Sequence, residues 1–297
     1  MSGFLQEMAR GSFARLARAR AALSESELLE RVRQTAAPPP LALHAAGFDL
    51  IAELKLRSPA AGRLGATDED LVGRVRSYAR AGVAAVSVLT EPSRFDGCLE
   101  HLQQAAAALA PLRVPAMRKD FIVDPYQVLE ARASGAGGVL VILRMLSAAQ
   151  LDAILECARQ AELFVLLEAF DPQDIERTHD VVRAWCGTAG AGARAPLLVG
   201  VNCRDLDSLE VVPGRLEELA PLLPPEAARV AESGVASAAD AARAATARYA
   251  LALVGSALMS RDDPLRLAAD MLAAGRKAAA VRGIHRRSAG APPERGA

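Results

Sequence analysis

The chain has 297 residues, 52% of them hydrophobic, with 35 basic and 35 acidic side chains and no net charge. That is enough apolar material for a large core in one or two domains, while the balanced charge argues against a general nucleic-acid binder, which carries a basic face. No apolar run reaches the roughly 18 residues a membrane helix needs, so neither nucleic acid nor membrane is an expected partner.

Residues 1–47 are expected to form one or two helices followed by a TAAPPP linker, an extension suited to capping one mouth of a barrel. Its opening, MSGFLQEMARGSFARLARAR, lacks the apolar segment of a secretory signal, and Glu7 and SESELLE speak against an arginine-rich transit peptide. Eight short apolar runs then read as strands: 49–55, 84–90, 115–119, 137–143, 162–169, 196–202, 228–233 and 249–256. Helix-like stretches such as 68–82 and 124–135 lie between them, several closing on glycine. Strand ends recur every 23–35 residues or so, one βα unit each, and the runs are apolar on both faces, as in parallel sheets. The expected fold is therefore α/β, a single (β/α)8 TIM barrel over residues 48–280 with an N-terminal helical extension. A doubly wound sheet is the competitor, but no Rossmann glycine fingerprint follows the first strand. TAGAGARAP (188–196) reads as a flexible insertion before the sixth strand, and residues 281–297 as a loose, disordered tail. Cys98, Cys157, Cys186 and Cys203 show no metal-ligand spacing and read as reduced thiols of a cytoplasmic protein; the four histidines are scattered.

The polar residues narrow the function. Glu53 and Lys55 are two apart in IAELK, so they point the same way, opposite to Ala52 and Leu54. Lys119, Glu168, Asn202 and Glu232 stand at the ends of strands three, five, six and seven. Burying an unpaired charge costs several kcal/mol. For any single position a structural ion pair is as good a reading as a catalytic one. Five charges and an amide on the C-terminal rim, where barrel active sites sit, favour catalysis. Ser233-Gly234 after strand seven and Gly255-Ser256 after strand eight are small residues on the same rim, where backbone N–H groups of such barrels hold phosphate.

SPAAG after IAELK, SVLTEPSRFDG, MRKDFIVDPYQVLEARASGA, VGVNCRDL, VAESGV and LVGSALM together resemble the indole-3-glycerol phosphate synthase family over roughly residues 45–262, most specifically over 117–135. The resemblance implies a lyase of tryptophan biosynthesis. Its substrate would be 1-(2-carboxyphenylamino)-1-deoxyribulose 5-phosphate, a phosphorylated anthranilate–ribulose conjugate, closed to an indole with loss of CO2 and water. It implies that Lys119 is the general acid at the substrate carbonyl and that Lys55 holds the carboxylate. Glu53 would position these ammonium groups, and Glu168 would be the general base. Asn202 and Glu232 would bind hydroxyls and assist dehydration. Ser58, Ser233, Gly234, Gly255 and Ser256 would surround the phosphate, with Arg204 following Asn202. Phe95, Phe121, Leu140, Ile142 and Leu206 would form the ring pocket. No cofactor and no metal are implied.

The chemistry suits these residue types. Ring closure needs an acid facing the carbonyl oxygen and a base for the later proton. Lysine is expected to serve as the acid with its pKa lowered by burial and by the neighbouring ammonium, Glu53 opposing the shift. Departures from the family pattern are Phe170 beside Glu168, where a polar residue is common, Cys98 and Cys203 at usual serine or asparagine positions, and SPAAG without a lysine. They suggest neutral drift or a paralogue serving another indole-forming pathway. A Schiff-base lyase on the same barrel would use lysine as nucleophile. A phosphoribosyl-anthranilate isomerase would not need both lysines with Glu53, and a non-catalytic phosphate-ligand sensor would leave the acid–base set unexplained.

Overall fold

In the computed structural model of the chain, residues 2–45, 47–64, 69–187, 196–206, 208–261 and 263–289 are described, the last helix by its side chains only to 281. Eight parallel strands close into a barrel: β1 Asp49–Leu54, β2 Ala85–Leu89, β3 Ala116–Lys119, β4 Gly138–Ile142, β5 Phe164–Ala169, β6 Leu197–Asn202, β7 Ala228–Glu232 and β8 Leu251–Val254. Neighbours pair in sequence order, and β1 closes the ring against β8 through Asp49–Leu251 and Ala52–Val254. The expected barrel is thus present, and the doubly wound alternative is not.

The period of two in each strand sorts its side chains. Leu50, Ala52 and Leu54 of β1 face outward and join the shell between strands and helices. Ile51 faces inward with Met117, Leu140, Leu166, Leu198, Val230 and Leu253 to form the apolar interior. Helices α1 Gly3–Ala22 and α2 Glu25–Gln34 precede the barrel. The outer ring follows: α3 Leu71–Arg80, α4 Leu99–Leu109, α5 Pro125–Ala133, α6 Ala148–Gln160, α7 Pro172–Gly187, α8 Arg215–Leu219, α9 Ala238–Thr246 and α10 Pro264–Ala289. Many start where a side-chain oxygen satisfies an orphan amide: Ser24 before α2, Asp124 before α5, Ser147 before α6 and Ser237 before α9.

The extension forms two helices, as expected, and it reaches both mouths. Phe4 and Leu5 of α1 lie over the C-terminal rim. The linker after α2 runs down past the start of β4, where Pro38 and Pro39 lie against Gly137, and Leu41 buries with the barrel interior. One expectation is corrected. The stretch read as a loose tail from 281 begins as helix, because α10 runs on to Ala289. Residues 290–297 and the insertion at 188–195 lie outside the described residues. Among the described residues no helix is long and apolar enough to cross a membrane.

Candidate active site

The C-terminal rim encloses a cavity of about 320 Å³. All six residues expected at its chemical centre line it: Glu53, Lys55, Lys119, Glu168, Asn202 and Glu232. So do the eleven expected around the substrate: Ser58, Phe95, Phe121, Leu140, Ile142, Arg204, Leu206, Ser233, Gly234, Gly255 and Ser256. Residues spread over some 200 positions converge because most stand near or beyond the C-terminal end of a strand, where the side chain leaves the packed interior.

Lys119 lies among carboxyl groups. Its Nζ is 3.2 Å from Glu168 Oε2 and 3.6 Å from Glu232 Oε2. Lys55 pairs instead with Glu53 at 2.7 Å. Glu53, Glu168 and Glu232 are at most 2% exposed. Asn202 Nδ2 donates to Glu168 Oε1 at 2.8 Å, while its Oδ1 accepts from Ser233 Oγ at 2.9 Å and from the Arg204 amide at 3.0 Å. One amide side chain therefore fixes the expected base and ties it to the loop after β7.

This arrangement reverses one expectation. Burial does push the Lys119 ammonium down, but Glu168, Glu232 and Glu53 outweigh it, and the pKa is held above the ordinary lysine value. Glu53 was expected to oppose the shift; Glu168 and Glu232, which join it around the ammonium, decide the sign. Glu53 stays below the usual carboxylate value: burial opposes ionisation, but Lys55, Lys119 and Arg204 overcome it. Glu232 goes the other way, pushed well up by burial and by Glu168, with Lys119 only partly compensating. Neither oxygen of Glu232 has a hydrogen-bond partner among the described residues. Two buried carboxyls in one cluster thus differ in protonation preference, the arrangement that lets one act as a charge and another as a proton donor.

The ends of β6 and β8 make room for these groups. A Cβ on Gly200 would sit 2.1 Å from Glu232 Oε1, and one on Gly255 would sit 2.2 Å from Glu53 Oε1. Gly255 was expected to serve phosphate; it lines the cavity, but the space its missing side chain leaves is taken by Glu53. On the phosphate side, Ser233 and Gly234 both adopt left-handed backbone, φ 65° and 73°, which is costly for serine and typical of a constrained site. Ser58 is buried in a short hairpin, Arg57–Ser58 against Gly62–Arg63, that carries the SPAAG loop to the cavity edge.

Arg118 and Asp120 flank Lys119 and point the opposite way. Arg118 donates to Asp120 at 3.0 Å and to the Gln127 carbonyl at 2.8 Å. Arg15 of α1 donates to Asp120 at 2.6 Å, and Ser12 to the Phe121 carbonyl at 2.5 Å. Asp120 keeps a low pKa because Arg118 and Arg15 overcome its burial. The charge run that opens this segment is therefore one inward ammonium held between two outward anchors. Sequence reasoning missed these anchors, together with Gly200, Phe4 and Leu5. The alternation in MRKD was a legible signal for the anchors; nothing in α1 marked Phe4 as part of a pocket.

Among the described residues no group of histidine, cysteine and acidic side chains could hold a metal ion, and the four cysteines are free.

A closed parallel barrel with a buried lysine–carboxylate cluster and small-residue loops after β7 and β8 defines a class: barrel enzymes that do acid–base chemistry on phosphorylated substrates. Solved structures agree on the fold. Similar chains include 3-hexulose-6-phosphate synthase from Salmonella typhimurium, with a TM-score of 0.53 at 14% identity, over 77% of this chain and 99% of that one. Orotidine 5'-phosphate decarboxylase from Pyrococcus horikoshii aligns with a TM-score of 0.51 at 12% identity, over 76% and 99%. At such identities only the architecture is shared. Sequence relatives are more specific. The family model for indole-3-glycerol phosphate synthase matches residues 6–271. The indole-3-glycerol phosphate synthase of Mycolicibacterium smegmatis is 38% identical over 91% of this chain and 94% of its own, and that of Parafrankia sp. is 41% identical over 78% and 81%. The chain belongs to the indole-3-glycerol phosphate synthase family.

Proposed function

We propose that the protein closes the pyrrole ring of 1-(2-carboxyphenylamino)-1-deoxy-D-ribulose 5-phosphate, giving indole-3-glycerol phosphate, CO2 and water, in L-tryptophan biosynthesis. The observation that carries this reading is Lys119: one ammonium within 3.6 Å of two buried carboxyl groups, between an apolar ring pocket and a small-residue rim. Lys119 faces the substrate carbonyl. As the aromatic carbon bearing the carboxylate attacks, that oxygen becomes alkoxide-like and basic enough to take a proton even from a lysine of raised pKa. Loss of CO2 returns the electron pair to the ring. Glu168, held by Asn202, takes the later proton, and Glu232, which favours its protonated form, donates to the departing hydroxyl. Lys55, set by Glu53, holds the substrate carboxylate, and the rim of Ser58, Ser233, Gly234, Gly255 and Ser256 holds the phosphate with Arg204 nearby. The substrate supplies its own electrons, so no cofactor enters the scheme. A cytoplasmic location goes with it, supported by the four free thiols.

The Schiff-base alternative needs a neutral amine, and the carboxyls keep Lys119 charged. The deciding assay follows indole fluorescence with purified protein in chelator. Turnover is expected without added metal or nucleotide, and Lys119→Met should cost on the order of 100-fold or more in kcat. A variant with near-wild-type rate, or a borohydride-trapped lysine adduct, would remove the acid role.

A further inference from the structure

Phe170 borders two cavities. It lines the catalytic one, and with Arg204 and Leu206 it also lines a second, polar cavity of about 390 Å³ beside Arg144, Asp171, Asp205 and Arg215. Those three shared side chains are the partition. Phe170 is 4% exposed and packs in the same apolar cluster as Phe121, Leu140 and Ile142, the expected ring pocket. Its ring is fixed from outside: the Arg144 guanidinium lies 4.8 Å from the ring centroid, a cation–π contact. Arg144 is itself held by Asp171 and Asp174, both at 2.5 Å. Asp174 also accepts from the Phe170 amide at 2.9 Å, so backbone and ring are pinned by the same pair. Backbone and ring contacts thus both hold the side chain as a wall between the two spaces.

We propose that Phe170 is a specificity-determining residue that closes the ring pocket toward the second cavity and excludes substrates carrying a substituent on that side of the aromatic ring. The inference rests on the cyclase reading above. A well-packed apolar wall discriminates a single methyl group by about 10–200-fold, and shortening Phe170 would join the two spaces.

The test uses the parent substrate and four analogues with a methyl group at each free ring position, assayed with wild type, Phe170→Ala and Phe170→Leu. Wild type is expected to turn over at least one analogue tenfold or more below the parent in kcat/KM. In Phe170→Ala the analogue-to-parent ratio for that position should recover at least tenfold while the other positions stay put. Phe170→Leu, which keeps an apolar filler, should recover part of it and covers the case in which the alanine variant fails to fold. Ratios within about twofold of wild type at every position, equal losses for parent and analogues, or a wild type indifferent to all four methyl groups would overturn the proposal. Absence of parent turnover by wild type would instead strike the cyclase reading itself.

Discussion

Glu232 resists ionisation because it is buried beside Glu168 and Glu53, and Lys119 at 3.6 Å does not offset this. The consequence for stability has a definite sign. A carboxyl whose folded pKa is raised binds its proton more tightly in the native state. Stability is therefore lost as pH rises from the ordinary value of 4.5 toward the folded value, at up to about 1.4 kcal/mol per pH unit. Glu232→Gln, which mimics the neutral form, should be more stable than wild type at pH 8 and no different near pH 4. Urea unfolding at the two pH values checks this; an equal gap at both would mean that Glu232 is not protonated in the native state. Lys119 follows the same sign in a higher window: its raised pKa keeps the ammonium and its ion pairs intact across the working range, and the stability they contribute is lost only as pH rises beyond the ordinary value of 10.5. At this scale the identities of the charged residues were legible in the sequence, since each is a polar residue at an apolar strand's end. The sign of the lysine shift was not, because it depends on how many carboxyls approach the ammonium in space.

Strands are shaped around the charges they carry. In β6, Gly200 sits two residues before Asn202 on the inward face, and the space of its missing side chain is filled by Glu232 from β7. Gly200→Ala should force that carboxyl aside. Overpacking of this kind costs typically 1–3 kcal/mol, and kcat is expected to fall tenfold or more as Glu232 leaves Lys119. Steady-state kinetics with a denaturation curve separate the two; full activity would show that Glu232 can relocate freely. Helix α1 acts similarly from outside, with Arg15 and Ser12 gripping the end of β3 around Lys119. Its ion pair from Glu7 to Arg94 is half exposed and contributes less, by the usual weakness of surface pairs. The helical extension was readable from its pattern, but its contacts reach over 100 residues along the chain.

The closed barrel keeps its two ends apart. At the N-terminal mouth Arg276 of α10 donates to the Phe48 carbonyl at 3.1 Å and pairs with buried Asp49 at 2.9 Å. Asp49 also accepts from the His44 amide, joining linker, β1 and last helix. Breaking a fully buried pair costs roughly 3–5 kcal/mol. With Arg276 28% exposed, Arg276→Ala should cost less, about 2–3 kcal/mol by the same principle, and leave kcat and KM within about twofold. Thermal unfolding and the fluorescence assay test this division; a large kinetic effect would show that the two mouths are coupled.

The sequence by itself determined the barrel, the order of its strands and the cast of rim residues. Strand period, βα spacing and polar residues at strand ends are local properties that follow from backbone geometry. Tertiary structure decided which ammonium pairs with which carboxyl, that Glu232 and Glu53 lean toward opposite protonation states, and that Phe4, Leu5 and Gly200 stand against the cavity and its carboxyls. Those outcomes come from distances between segments far apart in the chain, and from burial, which only the closed barrel creates.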